Sequence, residues 1–331
     1  MVFALGPLFT WAHLRGPGTG KRVVVDWPSG LDADGAAARL GSLELVRSPR
    51  LMAIYLWFTR STGDFEVGRH LLNDALSPAD LVARLGRKPS RPLVRVTLPE
   101  GWNHLQIAGR LEEREVAERQ EFVAAVRDPK LLGELGIRGP TAEGYLFPAS
   151  YSLPVDSEPR EVVRTLFAEF RRRMDRLEQD HPEALGGTTE HDIVILASIV
   201  EKETARADER ALVAGVYRNR LTRADFEPRG RLQSDPTAAY GCAVSGATIP
   251  TCAGFDGRVT PAMLRDPSNP YNTYRHPGLP PGPIANPGEA ALVAALMPTA
   301  TDYLYFVARG DGGHVFTRTY EEHQQAIKGG R

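Results

Sequence analysis

A repeated strand-turn-helix pattern is the feature that most constrains the fold of this chain. The stretches RVVVDWPSGLDADGAAARL (22–40) and LVRVTLPEGWNHLQIAGRL (93–111) each show a Val-rich strand, a Pro-x-Gly turn and then a helical pattern. Modules of this kind and size predict a small α+β domain. The residues that match at one offset are Pro28 with Pro99, Gly30 with Gly101 and Leu40 with Leu111.

Helical patterns dominate the rest of the sequence. An amphipathic helix is predicted over 114–136, and a longer one over 158–179 has an apolar stripe typical of core packing. A last pair of strands is predicted on either side of the glycine-rich turn 311–313. We therefore predict an α+β protein, with a small strand-turn-helix domain at 21–111 and a mixed α+β domain at 112–331.

Composition excludes one class of partner. The chain has 331 residues, which is enough for two or three domains, and its formal net charge is −1. A nucleic-acid-binding protein needs clustered Lys and Arg side chains to neutralise phosphates. We therefore exclude nucleic acid as a partner.

The N-terminus begins with about a dozen mostly apolar residues, interrupted by Gly6 and Pro7. This stretch is shorter than the roughly 20 apolar residues that span a bilayer. It also lacks the basic region and the cleavage site of a signal peptide. Two interpretations of residues 1–20 remain: a truncated membrane anchor or a flexible tail.

The only two cysteines, Cys242 and Cys252, lie in the loop-like segment GCAVSGATIPTC. A pair this close indicates a loop-closing disulfide, which would imply an oxidising compartment. The alternative is two unrelated buried thiols. No second Cys pair or suitably spaced His pair accompanies them, so we predict no metal site.

Glu201 ends an apolar run in ILASIVEKET (195–204). On a helix, Ala197 and Val194 lie on the same face as Glu201, so its carboxyl group is presented from an apolar surface. Such surroundings raise a carboxyl pKa, and a protonated carboxyl at working pH is what a general acid must be. The alternative is a polar helix end that leaves the core.

The two neighbours Lys202 and Glu203 are predicted to point away from Glu201. They would pair with Arg206 and Glu209 or face solvent.

Two further segments carry polar and aromatic side chains on turns stiffened by proline, RLQSDPTAAYG (231–241) and YNTYRHPGLPPGPIANPG (271–288). Amides, hydroxyls and rings on rigid loops are typical of sugar-binding sites, although isolated Asn and Asp more often cap turns. The candidate substrate-binding residues here are Gln233, Ser234, Asp235, Asn272, Thr273, Tyr274 and Asn286.

Several segments together resemble YceG-like proteins, the MltG family of endolytic murein transglycosylases, over about residues 20–328. They occur in the family's order. The segments are EGYLFPASY, ILASIVEKET, VYRNRL, RLQSDPTAAYG, YNTYRHPGLPPGPIANPG and YLYFVARGDGGHVFTRTYEEH.

The resemblance implies a bacterial inner-membrane protein with one N-terminal anchor. The domain at 21–111 would be LysM-like, and the catalytic domain at 112–331 would lie in the periplasm. Glu201 matches the family's catalytic glutamate, and Glu143 and Tyr145 of EGYLFP would line the cleft. Two features depart from the family pattern: the N-terminal apolar segment is short, and the cysteine pair is not expected of the family.

The resemblance also implies a reaction that needs no cofactor. One glutamic acid protonates the oxygen between MurNAc and GlcNAc, then takes the proton from the C6 hydroxyl of the same MurNAc, which attacks C1 and leaves a 1,6-anhydro end. The substrate would be nascent glycan strands, the role cell wall organisation, and the partners peptidoglycan synthases.

Two other functions stay open. A hydrolytic muramidase requires a second carboxylate facing Glu201, and the candidates are Asp235 and Glu143. A noncatalytic peptidoglycan-binding scaffold would use Glu201 for structure only. The products distinguish the three functions, because they would be anhydro-MurNAc ends, reducing MurNAc ends, or none.

Overall fold

The computed structural model describes residues 6–89, 91–184 and 186–329 and has the predicted α+β class. The chain divides into two compact units, Met1–Leu93 and Val94–Arg331. This border lies earlier than the one predicted after residue 111. The second repeat copy belongs almost wholly to the second unit, because its Val96, Ile107 and Leu111 pack into that unit's core.

The first unit is a two-stranded antiparallel sheet covered by helices. Strand β1 (Arg22–Trp27) pairs with β2 (Gly68–Asn73), with Val25 opposite His70. Its core holds apolar side chains from both strands and from the helices. The helices are α1 (Gly6–Ala12), α2 (Ala33–Ser42), α3 (Pro49–Thr59) and α4 (Pro78–Leu85), and a 3₁₀ turn lies at Ser61–Asp64.

The membrane anchor predicted within residues 1–20 is not supported. Residues 1–5 lie outside the described part of the chain, and α1 has only seven residues, with Leu8 and Ala12 buried in the first core. No helix among the described residues combines the length and the apolar composition that crossing a bilayer requires. This finding contradicts the predicted localisation as a single-pass protein of the inner membrane.

The second unit is mainly helical. Its sheets are the pair β3 (Leu93–Thr97) with β4 (Ser150–Pro154) and the pair β5 (Tyr305–Ala308) with β6 (His314–Thr317). The helices are α5 (His104–Glu113), α6 (Arg119–Val126), α7 (Pro129–Glu134), α8 (Pro159–Asp180), α9 (Glu190–Glu203), α10 (Arg210–Thr222), α11 (Asp235–Ser245), α12 (Pro261–Arg265), α13 (Glu289–Leu296) and α14 (Tyr320–Gly329).

The repeat forms the predicted strand-turn-helix units. Gly30 and Gly101 have φ angles of +76° and +73°, a conformation that glycine adopts without steric cost. The helix after each turn begins with a side-chain cap, because Asp32 accepts from the N–H of Gly35 and Asn103 accepts from the N–H of Gln106. The LysM-like assignment of the first unit stays a prediction.

Helix α9 is the centre of the second unit. Every residue from Ile193 to Val200 is buried, and the helix packs against α10, α11 and α13. Its two ends are polar, because Glu190, His191 and Asp192 at the start are half-buried and the last turn carries Glu201. The core therefore fixes the position of this turn.

Candidate active site

The carboxyl group of Glu201 lies at the end of α9 with only 7% of the side chain exposed. Its Oε2 accepts a hydrogen bond from the N–H of Gly288 (3.1 Å), and its Oε1 lies 3.5 Å from the guanidinium of Arg210. Burial raises the pKa of Glu201, and the charge of Glu100 raises it further. The Gly288 bond and the cations Arg210 and Lys202 lower the pKa, but the net direction is upward.

The turn at Gly101 lies directly against this carboxyl group. A side chain added at Gly101 would place its Cβ 3.5 Å from Cγ of Glu201. The neighbouring Lys202 donates from Nζ to the carbonyl oxygen of Gly101 (3.3 Å), so it binds this turn and not the predicted partner Glu209. The Pro-x-Gly turn of the second repeat copy thus forms one wall beside Glu201.

A cleft of about 800 Å³ opens beside this wall, and Gly101 and Lys202 contribute to its lining. We name it the α5 cleft, since one face of α5 forms much of it. Polar and aromatic groups line it on several sides, as a sugar-binding site requires. Its lining includes Asn103, which caps α5, Gln106 and Gly109 of α5, Asp235 and Tyr240 of α11, and Phe255.

Glu143 lies behind the site and has no exposed surface. Its Oε2 accepts from Nδ1 of His104 (2.6 Å) and from the hydroxyl of Tyr240 (3.1 Å), and its Oε1 accepts from Nδ2 of Asn286 (2.6 Å). The backbone N–H of His104 donates to both oxygens. The group is closed to a substrate in this conformation and joins four segments of the chain.

Asn286 uses its whole side chain in this network. Its Oδ1 accepts from the N–H groups of Gly144 (2.8 Å) and Leu146 (2.9 Å), and its Nδ2 also donates to the carbonyl of Trp102 (2.9 Å). Its backbone carbonyl accepts from the N–H of Gly101 (2.9 Å). Asn286 therefore fixes the loop that ends at the donor to Glu201.

Tyr145 is also buried, and its hydroxyl lies 2.7 Å from Nδ1 of His191. This ring packs in the core, although EGYLFP was predicted to line the cleft. It contacts Phe167 and Phe170 of α8.

The other predicted binding residues form one polar cluster and one cap. Asp235 is exposed, lines the cleft and accepts from the hydroxyl of Tyr274 (2.7 Å). The N–H of Gln233 donates to the carbonyl of Thr273, and the N–H of Ser234 donates to the Thr273 hydroxyl (3.0 Å).

Asn272 is fully buried, and its Oδ1 accepts from the N–H of Tyr274 (3.1 Å). Its Nδ2 donates to the carbonyls of Met263, Leu264 and Asp266 at the end of α12. Asn272 therefore caps a turn, which the sequence analysis gave as the alternative to sugar binding.

Known proteins confirm the resemblance. The YceG-like family model matches residues 25–329. This chain belongs to the YceG-like family.

Three relatives show how widely this YceG-like chain shares its sequence and fold. It is 27% identical over 319 residues to an endolytic murein transglycosylase of Bacillus subtilis (strain 168), covering 92% of this chain and 83% of that protein. It is 30% identical over 335 residues to an endolytic murein transglycosylase of Streptococcus pneumoniae serotype 2 (strain D39 / NCTC 7466), covering 93% of this chain and 58% of that protein. The crystal structure of the YceG-like protein lmo1499 from Listeria monocytogenes superposes with a TM-score of 0.59 at 26% identity, over 93% of this chain and 99% of that one.

Glu203 is a site residue of this YceG-like chain that the sequence did not reveal. Its Oε1 accepts from the hydroxyls of Tyr217 and Ser234, each at 2.5 Å. Burial raises its pKa, while the Ser234 and Tyr217 bonds lower it. The predicted pairing with Arg206 or solvent is wrong, because Arg206 pairs with Asp208 and Glu209. Glu203 instead ties the start of α11 to the end of α9.

Cys242 and Cys252 of this YceG-like chain are joined by a disulfide. They pack in a small cluster with Ile249 and Met263, and Phe255 and Val259 lie against it. Both Phe255 and Val259 also line the α5 cleft. The cross-linked loop therefore supports one wall of the cleft.

Proposed function

We propose that this chain is a peptidoglycan lytic transglycosylase that cleaves the MurNAc–GlcNAc bond of nascent glycan strands. It would act within the strand, leave 1,6-anhydro-MurNAc ends and serve cell wall organisation. Family membership and the names of the relatives support the reaction class. The observation that carries the mechanism is the buried carboxyl group of Glu201, with its raised pKa, beside an open cleft.

Glu201 would act twice. The protonated carboxyl donates its proton to the bridging oxygen as the C1–O bond breaks, and the bond's electron pair stays with the departing GlcNAc oxygen. The Glu201 carboxylate then takes the proton from the C6 hydroxyl of MurNAc, whose oxygen forms the new bond to C1. No water is consumed, and Glu201 ends protonated as it began.

The surroundings of Glu201 fit both steps. Burial favours the neutral acid that the first step needs. The Gly288 N–H and the Arg210 guanidinium favour the carboxylate that exists between the steps. A group held between these opposing influences can donate a proton and recover it.

The other predicted residues divide into two roles in this proposal. Asp235 and Tyr274, which are exposed or half-buried and linked to each other, would contact the strand with Gln233. The buried side chains would hold the cleft in shape without touching the substrate. These buried residues are Glu143, Tyr145, Ser234, Asn272, Thr273 and Asn286.

Two alternatives remain as outcomes of the test. In a hydrolytic muramidase, Asp235 would be the second carboxylate, because Glu143 has no exposed surface for a water molecule to reach. A noncatalytic scaffold would bind strands through the cleft, and the LysM-like assignment of the first unit belongs to the same set of proposals. Peptidoglycan synthases are the partner class that the resemblance proposes.

The test is to incubate wild type and Glu201→Gln with uncrosslinked glycan strands and to identify new ends by mass spectrometry. We expect anhydro-MurNAc ends from wild type and none from Glu201→Gln, which keeps the shape of the side chain without its acidic proton. Reducing MurNAc ends would indicate the muramidase, and no cleavage would indicate the scaffold. Wild-type activity of Glu201→Gln would refute the assignment of the acid.

A further inference from the structure

The α5 cleft extends well beyond Glu201. Asn103, the N-cap of α5, and Gln106 and Gly109 within α5 recur at intervals of three residues, so they lie along one face of the helix, and all three line the cleft. Six residues of α-helix span about 9 Å, at a rise of roughly 1.5 Å per residue. The cleft thus has a near end at Gly101, against Glu201, and a distal end at Gly109.

Gly109 has no structural reason to be glycine. It lies inside α5, where glycine is less stable than alanine, and it does not have a positive φ. A Cβ added there would meet no atom within 4 Å. Neither packing nor backbone conformation requires glycine at this position. Because glycine has no side chain, the floor of the cleft is open at the distal end.

The same end of the cleft carries a cation. Arg119, the first residue of α6, lines the cleft, and the described residues provide no ion-pair partner for its guanidinium. Its backbone N–H donates to Oε1 of Glu112, and Glu112 and Glu118 line a separate cavity. The acidic side chain that lines the α5 cleft, Asp235, comes from α11 and accepts from Tyr274.

We infer that Gly109 and Arg119 form a distal subsite for a sugar that carries a carboxylate on its lactyl branch. This inference rests on the proposed function, because a glycan strand supplies such a group on every MurNAc. A guanidinium binds a carboxylate through two parallel hydrogen bonds. The carboxylate belongs either to the stem peptide or, where the peptide is absent, to the lactyl group itself.

Binding is measured in the Glu201→Gln background, where strands stay intact, with and without Arg119→Gln. The probes are uncrosslinked strands with stem peptides, the same strands after amidase treatment, and chitohexaose, which has no carboxylate. We expect Arg119→Gln to raise the Kd for carboxylate-bearing strands about tenfold or more, as loss of a charge-assisted hydrogen bond does, and to leave chitohexaose unchanged. Arg119→Lys should recover part of the loss.

The control is Arg114→Gln, an exposed arginine at the end of α5 that does not line the cleft. A loss confined to peptide-bearing strands identifies the stem peptide as the source, and an equal loss after amidase treatment identifies the lactyl carboxylate. Equal losses on all three probes, or no loss beyond that of Arg114→Gln, would overturn the subsite. Cleavage by wild type tests the proposed function separately, because it does not depend on Arg119 selectivity.

Gly109 has its own test. Gly109→Leu should raise the Kd for all three probes about tenfold or more, because the side chain would fill the floor of the cleft. Gly133→Leu is the control, since Gly133 is also helical with open space at its Cβ, but it is exposed where Gly109 is half-buried, and it lies in α7 and does not line the cleft. Thermal unfolding checks that both variants fold. Unchanged affinity of a folded Gly109→Leu would show that no sugar occupies the distal end.

Discussion

Glu143 and Asn286 lie 143 residues apart in the chain, and Nδ2 of Asn286 donates a 2.6 Å hydrogen bond to Oε1 of Glu143. Asn286 in turn binds the Gly101 turn through its backbone, two residues before the Gly288 N–H that donates to Glu201. The position of Glu201 is therefore linked to the buried carboxylate of Glu143.

Glu143→Gln should destabilise the second unit by about 2–4 kcal/mol. Both oxygens of Glu143 accept hydrogen bonds, and an amide has only one acceptor oxygen, so its NH₂ would face at least one donor. Thermal or denaturant unfolding measures the loss. The control is Glu113→Gln, because Glu113 is exposed and forms only a surface ion pair with Arg110. This substitution should change the free energy of unfolding by less than about 0.5 kcal/mol. If Glu143→Gln kept wild-type stability but lost strand binding, Glu143 would be a substrate contact and not a structural group.

Local patterns were sufficient for several parts of this structure. The two strand-turn-helix copies, the turn between β5 and β6 and the apolar run of α9 depend on residues close in sequence. The position of Glu201 at the end of that run, on the face of α9 that carries Val194 and Ala197, follows from the same periodicity. The raised pKa of this residue could therefore be anticipated before its partners were known.

Partners that come from distant segments could not be read from local patterns. Glu143 receives hydrogen bonds from His104, Tyr240 and Asn286, which lie 39, 97 and 143 residues away. The motif EGYLFP therefore gave no sign that its polar residue was buried. Glu203 was misplaced for the same reason, because its donors come from α10 and from the segment before α11.

Glu201→Gln should stabilise the protein near pH 7, and the gain should disappear in acid. The pKa of Glu201 is raised in the folded state. As pH rises above about 4.3, the carboxyl group of residue 201 loses its proton in the unfolded wild type before it does so in the folded wild type. This difference favours unfolding of the wild type but not of the variant, which has no carboxyl group there. Below that pH both states are protonated and the difference is lost. The measurement is Tm against pH, and a variant less stable than wild type at pH 7 would contradict the sign.

Activity should fall on the alkaline side as Glu201 loses its proton. Arg210→Gln removes a cation that lowers the pKa of Glu201, so the alkaline limb of the kcat profile should move to higher pH. The control is Arg206→Gln, because Arg206 pairs with Asp208 and Glu209 instead. An unmoved limb, or a limb that moves equally in the control, would mean that Glu201 does not set the profile.

Ser234→Ala should cost about 1–2 kcal/mol of stability and raise KM more than it lowers kcat. The Ser234 hydroxyl donates to Glu203 and holds the segment that carries Asp235 into the cleft, so its loss loosens substrate contacts without touching Glu201. Ser245→Ala, at the far end of α11, should leave both parameters unchanged. A fall in kcat with KM unchanged would instead place Ser234 in the chemical step.

The disulfide between Cys242 and Cys252 joins residues that are 10 positions apart in the sequence. A cross-link over a loop of this size lowers the conformational entropy of the unfolded chain and stabilises the folded protein by about 3 kcal/mol. The oxidised protein should therefore show no thiol labelling under denaturing conditions, and Cys242→Ser/Cys252→Ser should be less stable by about 2–3 kcal/mol. Because Phe255 and Val259 pack against this loop and line the cleft, the double variant should also bind strands more weakly.

Reduction of the wild type should reproduce both losses, whereas the double variant itself should not respond to a thiol reductant. Full labelling of both cysteines in the oxidised protein under denaturing conditions would leave them as two separate thiols, and unchanged strand affinity after reduction would show that the cleft wall stands without the cross-link.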